Sequence, residues 1–228
     1  MAILEYIASF LAVLLVLPLH EYAHALAAVK CGDDTPRLYG RLTLNPLAHF
    51  DIYGVISMVL IGFGWGKPVP INPNNFRNRR RGNLIVSLAG VTTNLLTAFL
   101  IYPLMLLLIK WFNLNFFTEN VFLYNLVYVL VRSVCYLHFI SLSLCVFNLI
   151  PLYPLDGFKA IDAIVTRKGK FFYFLYKYSR YILLGLVLLS FLADVVPYLG
   201  FLDVLGMTLG FVVDKLSYVC GLFWGLFI

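Results

Sequence analysis

LHEYAHALAA, residues 19–28, is the stretch from which the rest of the chain can be read. It closes an apolar run and holds His20, Glu21 and His24, in a segment where charged groups are costly and usually functional. Residues i and i+4 lie on one face of a helix, so His20 and His24 present two imidazoles to one point. Glu21 sits beside them, in reach of a water bound at that point. This is the H-E-x-x-H spacing of zinc metalloproteases. Short patterns recur by chance, and most lone histidines are surface or satisfied core residues; the apolar setting favours the metal. Zinc needs at least one more protein ligand and an open position for water, so the remaining chain must supply it.

Composition narrows the class. Of 228 residues, 62% are hydrophobic and 12% are charged, and the mean hydropathy is +0.90. That fits a polytopic membrane protein rather than a soluble domain. Backbone groups in hydrocarbon must be satisfied internally, and the apolar runs are long rather than alternating, so helices are expected and a barrel is not. The fold class expected is all-α, with about five transmembrane helices. A re-entrant or interfacial segment with short β-strands should follow the first helix. The +6 charge falls in loops between spans, so topology explains it and nucleic acid is not an expected partner. Cys31, Cys135, Cys145 and Cys220 are scattered, with no C-x-x-C spacing, and suggest neither disulfides nor a thiolate metal site.

Residues 3–29 are expected to form the first helix, with His20 well past its midpoint. No Lys or Arg precedes the run, and Glu5 is misplaced for a basic leader, so it is read as a retained span although Ala25-Leu26-Ala27 resembles a cleavage site. In residues 30–52, Pro36, Gly40 and Pro46 punctuate the chain, and Arg37 to Leu44 alternates enough for short strands. Ile52 to Phe63 is too short to span. Residues 64–82 form a basic loop rich in Pro and Asn, in which Arg79–Arg81 reads as a topology signal rather than a lipid-binding patch. Further spans are expected at 83–109 and 121–150, a short amphipathic helix at 158–167, and hydrophobic helices at about 174–196 and 200–226. A single domain over 1–228 is expected, its catalytic core at about 1–165 and its last hydrophobic helices at about 174–226.

Of 17 Lys and Arg residues, eight lie in the first long loop and six in or beside the loop after the third span. Two spans separate these loops, so they share a side. The positive-inside rule makes that side cytoplasmic, with the active site toward it and the N-terminus outside. A multi-pass protein of the cell membrane is expected, with the bilayer itself as a partner.

The oxygen and nitrogen candidates for a third ligand are His49, His138, Asp156, Asp194, Asp203 and Asp214. Asp156 has the strongest context. It follows a helix end broken by Pro151 and Pro154, at the depth of His20 and His24, and irregular backbone at that depth is tolerated where it lines a cavity. A carboxylate can fill a zinc position. Alone, Asp156-Gly157 would read as an ordinary turn.

With HEYAH at 20–24 and NLIPLYPLDG at 148–157, the chain resembles the site-2 protease family of intramembrane metalloproteases. Further likeness lies in GRLTLNPLAHFD at 40–51, FGWGKPVPINPNNFR at 63–77 and SLAGVTTN at 87–94. The likeness covers roughly residues 15–165 and is to a compact subgroup without appended PDZ or CBS domains. It implies that His20, His24 and Asp156 bind one Zn2+, that Glu21 activates water, and that Asn94 and Asn148 lie near the site. Where the family usually has a proline, in an A-G-P-x-x-N pattern, this chain has Val91.

Asn94 and Asn148 are candidates for steadying the substrate backbone or oxyanion, against a reading as helix-to-helix glue. His49 is a candidate for touching substrate or the metal, against a structural reading. His138 is expected to pair with Arg132 or another polar neighbour. Residues 37–44 are a candidate edge for an unwound substrate strand. The function expected is an intramembrane zinc endopeptidase acting on transmembrane protein substrates. The alternative is a catalytically silent scaffold that binds client transmembrane segments, which has no need of Glu21. A metal-ion transporter is a third possibility, but few polar residues line the later spans.

Overall fold

The computed structural model describes residues 1–61 and 64–227. Helix α1 spans Ala2–Cys31 and ends at Gly32, whose φ of 112° is the left-handed conformation that a helix C-terminus uses and glycine adopts freely. Its buried face repeats every four residues: Ala8, Ala12, Val16, His20, His24 and Ala28 are all buried. Small side chains let neighbouring helices approach, and the two histidines continue the same stripe.

Two four-residue helices follow, α2 (Thr35–Leu38) and α3 (Pro46–His49), and then α4 (Ile52–Ile61). Residues 37–44 are not the short strands that alternation suggested. Pro36 starts a helical turn, Tyr39 N–H bonds back to the Thr35 carbonyl, and Gly40 takes a φ of 66°. Among the described residues, the one β-type pairing is an isolated bridge between Phe50 and Gly66. A strand needs a partner strand for its backbone groups, and none of the described residues forms one alongside 37–44, so the substrate-edge role expected of these residues falls with it. In place of a re-entrant segment there is the ten-residue helix α4; Gly62 and Phe63, the end of the expected segment, lie outside the described residues.

Helix α5 (Arg79–Asn115) starts where the Asn78 side chain accepts the Arg81 N–H. It runs uninterrupted through Val91, the position where the family pattern has proline. Helix α6 (Val121–Leu149) is capped by Asn120 and stops before Pro151. The break delivers α7 (Asp156–Ile164), then α8 (Lys170–Val195) and α9 (Val204–Trp224). Helices α1, α5, α6, α8 and α9 are long and apolar enough to cross a membrane.

Helices α1, α5 and α6 pack against one another, and α7 lies on α5. Helix α9 joins them through Val213, which packs with Ala98 and Leu142. His138, fully buried, ties these three elements: Nδ1 meets the Ala98 carbonyl at 2.9 Å and Nε2 the Ser217 hydroxyl at 3.0 Å. It therefore pairs inside the bundle, as expected, but not with Arg132, which bonds Glu5 at 3.0 Å. Helix α8 meets the α6–α7 connection through Tyr176 against Tyr153, and α7 itself through Phe172 against Phe158. The two basic loops meet on one face, where Arg80 Nε donates to the Ala163 carbonyl at the end of α7 at 2.8 Å.

Candidate metal centre

His20 and His24 leave α1 one turn apart, and both rings are buried. Asp156 comes from the first turn of α7 and is 3% exposed. Its Oδ2 lies 3.3 Å from His20 Nε2 and 3.0 Å from His24 Nε2, and the two Nε2 atoms are 3.0 Å apart. Among the described residues, these three form the group of His, Cys, Asp and Glu side chains able to hold one ion.

Hydrogen bonding behind the rings fixes the free nitrogen of His24 and bears on that of His20. His24 Nδ1 is 2.7 Å from the Val86 carbonyl. A carbonyl only accepts, so Nδ1 carries the hydrogen and Nε2 presents a lone pair. His20 Nδ1 is 3.1 Å from the Asn94 amide nitrogen, and Asn94 Oδ1 is buried without a partner. The two amide atoms exchange places by a flip. With Oδ1 turned to the ring, the buried oxygen is satisfied and His20 Nδ1 also donates, freeing Nε2. Asp156 Oδ2 is itself buried with no hydrogen-bond donor.

Three lone-pair atoms thus converge on one point. Bonds of about 2.0–2.1 Å to a tetrahedral ion would set such atoms about 3.3 Å apart. The observed spacing and the donor types fit zinc. The Lys159 ammonium, 2.9 Å from Asp156 Oδ1, favours the charged carboxylate, the form a metal ligand takes.

Two glycines make the approach possible. A Cβ on Gly90 would stand 2.5 Å from both His20 Cε1 and His24 Nε2. A Cβ on Gly157 would stand 2.3 Å from the Leu149 carbonyl oxygen, blocking α7 from folding back on the end of α6.

Glu21 lines the same cavity, of about 130 Å³, with His20, His24, Asp156, Asn148 and Lys159. Its Oε2 accepts the Val69 N–H at 3.2 Å. That amide arrives on an extended segment held by a second polar node, Asp33. Fully buried just past α1, Asp33 accepts from Asn72 N–H at 2.7 Å, Asn75 Nδ2 at 2.8 Å and the Thr35 N–H and hydroxyl. Burial pushes its carboxyl up; these hydrogen bonds win and leave it lowered.

Of the residues singled out from sequence, the fold brings together His20, Glu21, His24, Asp156, Asn94 and Asn148. Asn148 lines the cavity while its Nδ2 donates to the Leu144 carbonyl at 3.0 Å. His49 stays outside the ligand group: its Nε2 bonds the Thr43 carbonyl at 2.8 Å and its own carbonyl accepts the Lys67 N–H. Sequence reasoning missed Val86, Gly90, Val69, Asp33 and Lys159. Only Gly90, inside SLAGVTTN, carried a signal, as a glycine on the apolar face of a span.

The description "Peptidase family M50" matches residues 8–190. The chain belongs to that family. It is 38% identical over 149 residues to "Putative zinc metalloprotease YwhC" of Bacillus subtilis, a match covering 64% of each chain. It is 31% identical over 150 residues to "Putative zinc metalloprotease Rip2" of Mycobacterium tuberculosis, covering 63% of this chain and 52% of that one. A third relative, "Putative zinc metalloprotease Rip2" of Mycolicibacterium smegmatis, is 30% identical over 169 residues, 70% of this chain and 59% of the relative. The chain therefore spans between about half and two thirds of the length of these curated relatives. No solved structure matches it. Membership of M50 and the five apolar helices together make this a multi-pass membrane protein.

Proposed function

We propose that this M50 member is a zinc endopeptidase that hydrolyses peptide bonds within or near the transmembrane segments of other membrane proteins. The carrying observation is the convergence of His20 Nε2, His24 Nε2 and Asp156 Oδ2, at 3.0–3.3 Å, in one cavity with Glu21. The names of its relatives support zinc as the metal.

His20, His24 and Asp156 hold the ion. Zinc, when bound, supplies a Lewis acid for the scissile carbonyl and makes water acidic enough to attack at neutral pH. Glu21 accepts the proton of the attacking water and passes it to the leaving amine. Val69 N–H holds one Glu21 oxygen, Oε2, at the wall of the cavity both residues line. Asn94 acts through His20, which it orients, rather than on the oxyanion. Asn148, on the cavity wall, offers its amide oxygen to the substrate backbone. An apolar cavity of about 320 Å³ between α1, α4, α6 and α9 includes Leu17 and Phe147, close in sequence to His20 and Asn148. It supports access by an apolar segment from the bilayer. The basic face carrying Arg80 and α7 is placed in the cytoplasm by the positive-inside rule, with the N-terminus outside and the site toward that face.

The test is zinc content together with cleavage of a model transmembrane substrate, for wild type, Glu21→Gln and Asp156→Ala. About one zinc per chain is expected in wild type and Glu21→Gln, and less in Asp156→Ala. Cleavage is expected in wild type and lowered at least about a hundredfold in Glu21→Gln. Full activity in Glu21→Gln would remove the assigned base and this mechanism with it, whereas zinc-loaded wild type that cleaves nothing would leave a scaffold as the better reading.

A further inference from the structure

The carboxylate of Asp156 is divided between two tasks. Oδ2 faces the imidazole pair, while Oδ1 accepts the Lys159 ammonium at 2.9 Å. Lys159 lies three residues on in α7, the spacing that puts two side chains on one helix face. Its side chain is 51% exposed and that of Asp156 5%, so the ammonium closes the outer edge of a buried carboxylate. Of the other acidic groups nearby, Asp162 pairs with Lys168 and Glu21 accepts the Val69 N–H.

This arrangement bears on coordination number. A carboxylate can give a metal one oxygen or both. With two histidines already bound, a two-oxygen Asp156 would fill the fourth tetrahedral position, which a hydrolytic site must leave to water. We infer that Lys159 is a positioning residue that holds Asp156 to single-oxygen ligation by occupying Oδ1, and so keeps the fourth metal position open. The inference rests on the zinc reading above. The ammonium also withdraws electron density from the carboxylate, making Asp156 a weaker donor and the ion a stronger Lewis acid. Outer partners of this kind commonly change activity or metal affinity by about 10–100-fold.

Sequence alone gives no reason to single out Lys159, because a lysine after an Asp-Gly turn is an ordinary surface residue. Only the direction of the two Asp156 oxygens distinguishes it. Arginine can replace its function, since a guanidinium also donates to Oδ1; methionine keeps the aliphatic stem and removes the donor.

The experiment is X-ray absorption at the zinc edge on the purified full chain, for wild type, Lys159→Met and Lys159→Arg, with zinc content and cleavage measured on the same samples. Wild type and Lys159→Arg are expected to show one carboxylate oxygen. Lys159→Met is expected to keep its zinc and show the short metal–carbon distance of a two-oxygen carboxylate, with cleavage lowered at least about tenfold. Single-oxygen ligation in Lys159→Met overturns the inference, whether activity is kept or lost. Loss of zinc from Lys159→Met also overturns it and makes Lys159 a support of the site rather than a control on its ligation mode. A wild-type protein that binds no zinc overturns the metal reading itself, and the Lys159 inference with it.

Discussion

Single atoms separate a metal site from a polar defect in this protein. Gly90 shows it most directly, because α5 touches both imidazoles there and a methyl group would occupy space the rings already fill. Gly90→Ala should push His20 and His24 apart and lower zinc affinity at least about tenfold, while leaving the helical circular dichroism of the bundle unchanged; equilibrium dialysis against a zinc buffer measures it. Asn94 separates two roles that sequence could not. Helix-to-helix glue would tolerate any polar amide-sized group, whereas holding a protonated His20 Nδ1 requires an acceptor. Asn94→Asp should therefore keep zinc, and Asn94→Leu should weaken binding by about 10–100-fold, read by the same dialysis. Equal affinities for the two variants would return Asn94 to the role of glue.

At the scale of elements, the loop from Gly64 to Asn78 is a structured arm sewn to the end of α1. Arg77 N–H bonds the Cys31 carbonyl, and Asp33 gathers Thr35, Asn72 and Asn75. The arm delivers the Val69 amide to Glu21. Because the folded Asp33 carboxyl is lowered, its stabilising contribution is fully present above the unfolded value of about 3.9. It is lost as pH falls through the still lower folded value. Between pH 5 and 8, amide exchange at Asn72 should therefore owe no pH dependence to Asp33 beyond intrinsic chemistry. Asp33→Asn should speed that exchange on the order of tenfold, read by hydrogen–deuterium exchange of the 67–78 segment. Glu21→Gln and Asp33→Asn should differ in kind: the first removes the base, the second only loosens what holds it.

For the whole molecule, the helices bring the two basic loops to one face, and Arg80 joins them by donating to the end of α7. On the orientation proposed above, with α7 toward the cytoplasm, Arg167→Cys, in a chain whose native cysteines are replaced, should react with an impermeant thiol reagent only after the membrane is opened. Glu119→Cys, in the α5–α6 connection, should react from outside intact cells. The reverse pattern would invert the orientation and place the metal centre toward the other face. The sequence by itself determined the five apolar helices, the break before Asp156 and the pairing of His20 with His24. These depend on local hydropathy, proline chemistry and the four-residue helical repeat. It misread 37–44 as strand, because alternation records side-chain character and not whether a second strand is present to pair. Asp156 as third ligand was legible only from context and family resemblance. Tertiary structure alone decided the rest. Val86 and Asn94 stand 62 and 74 residues from the histidines they hold, and Val69 is 48 residues from Glu21. Gly90 matters only where α5 crosses α1, and Lys159 only by which Asp156 oxygen it takes. Such contacts are set by where packed helices meet in space, and no local property of the residues encodes that.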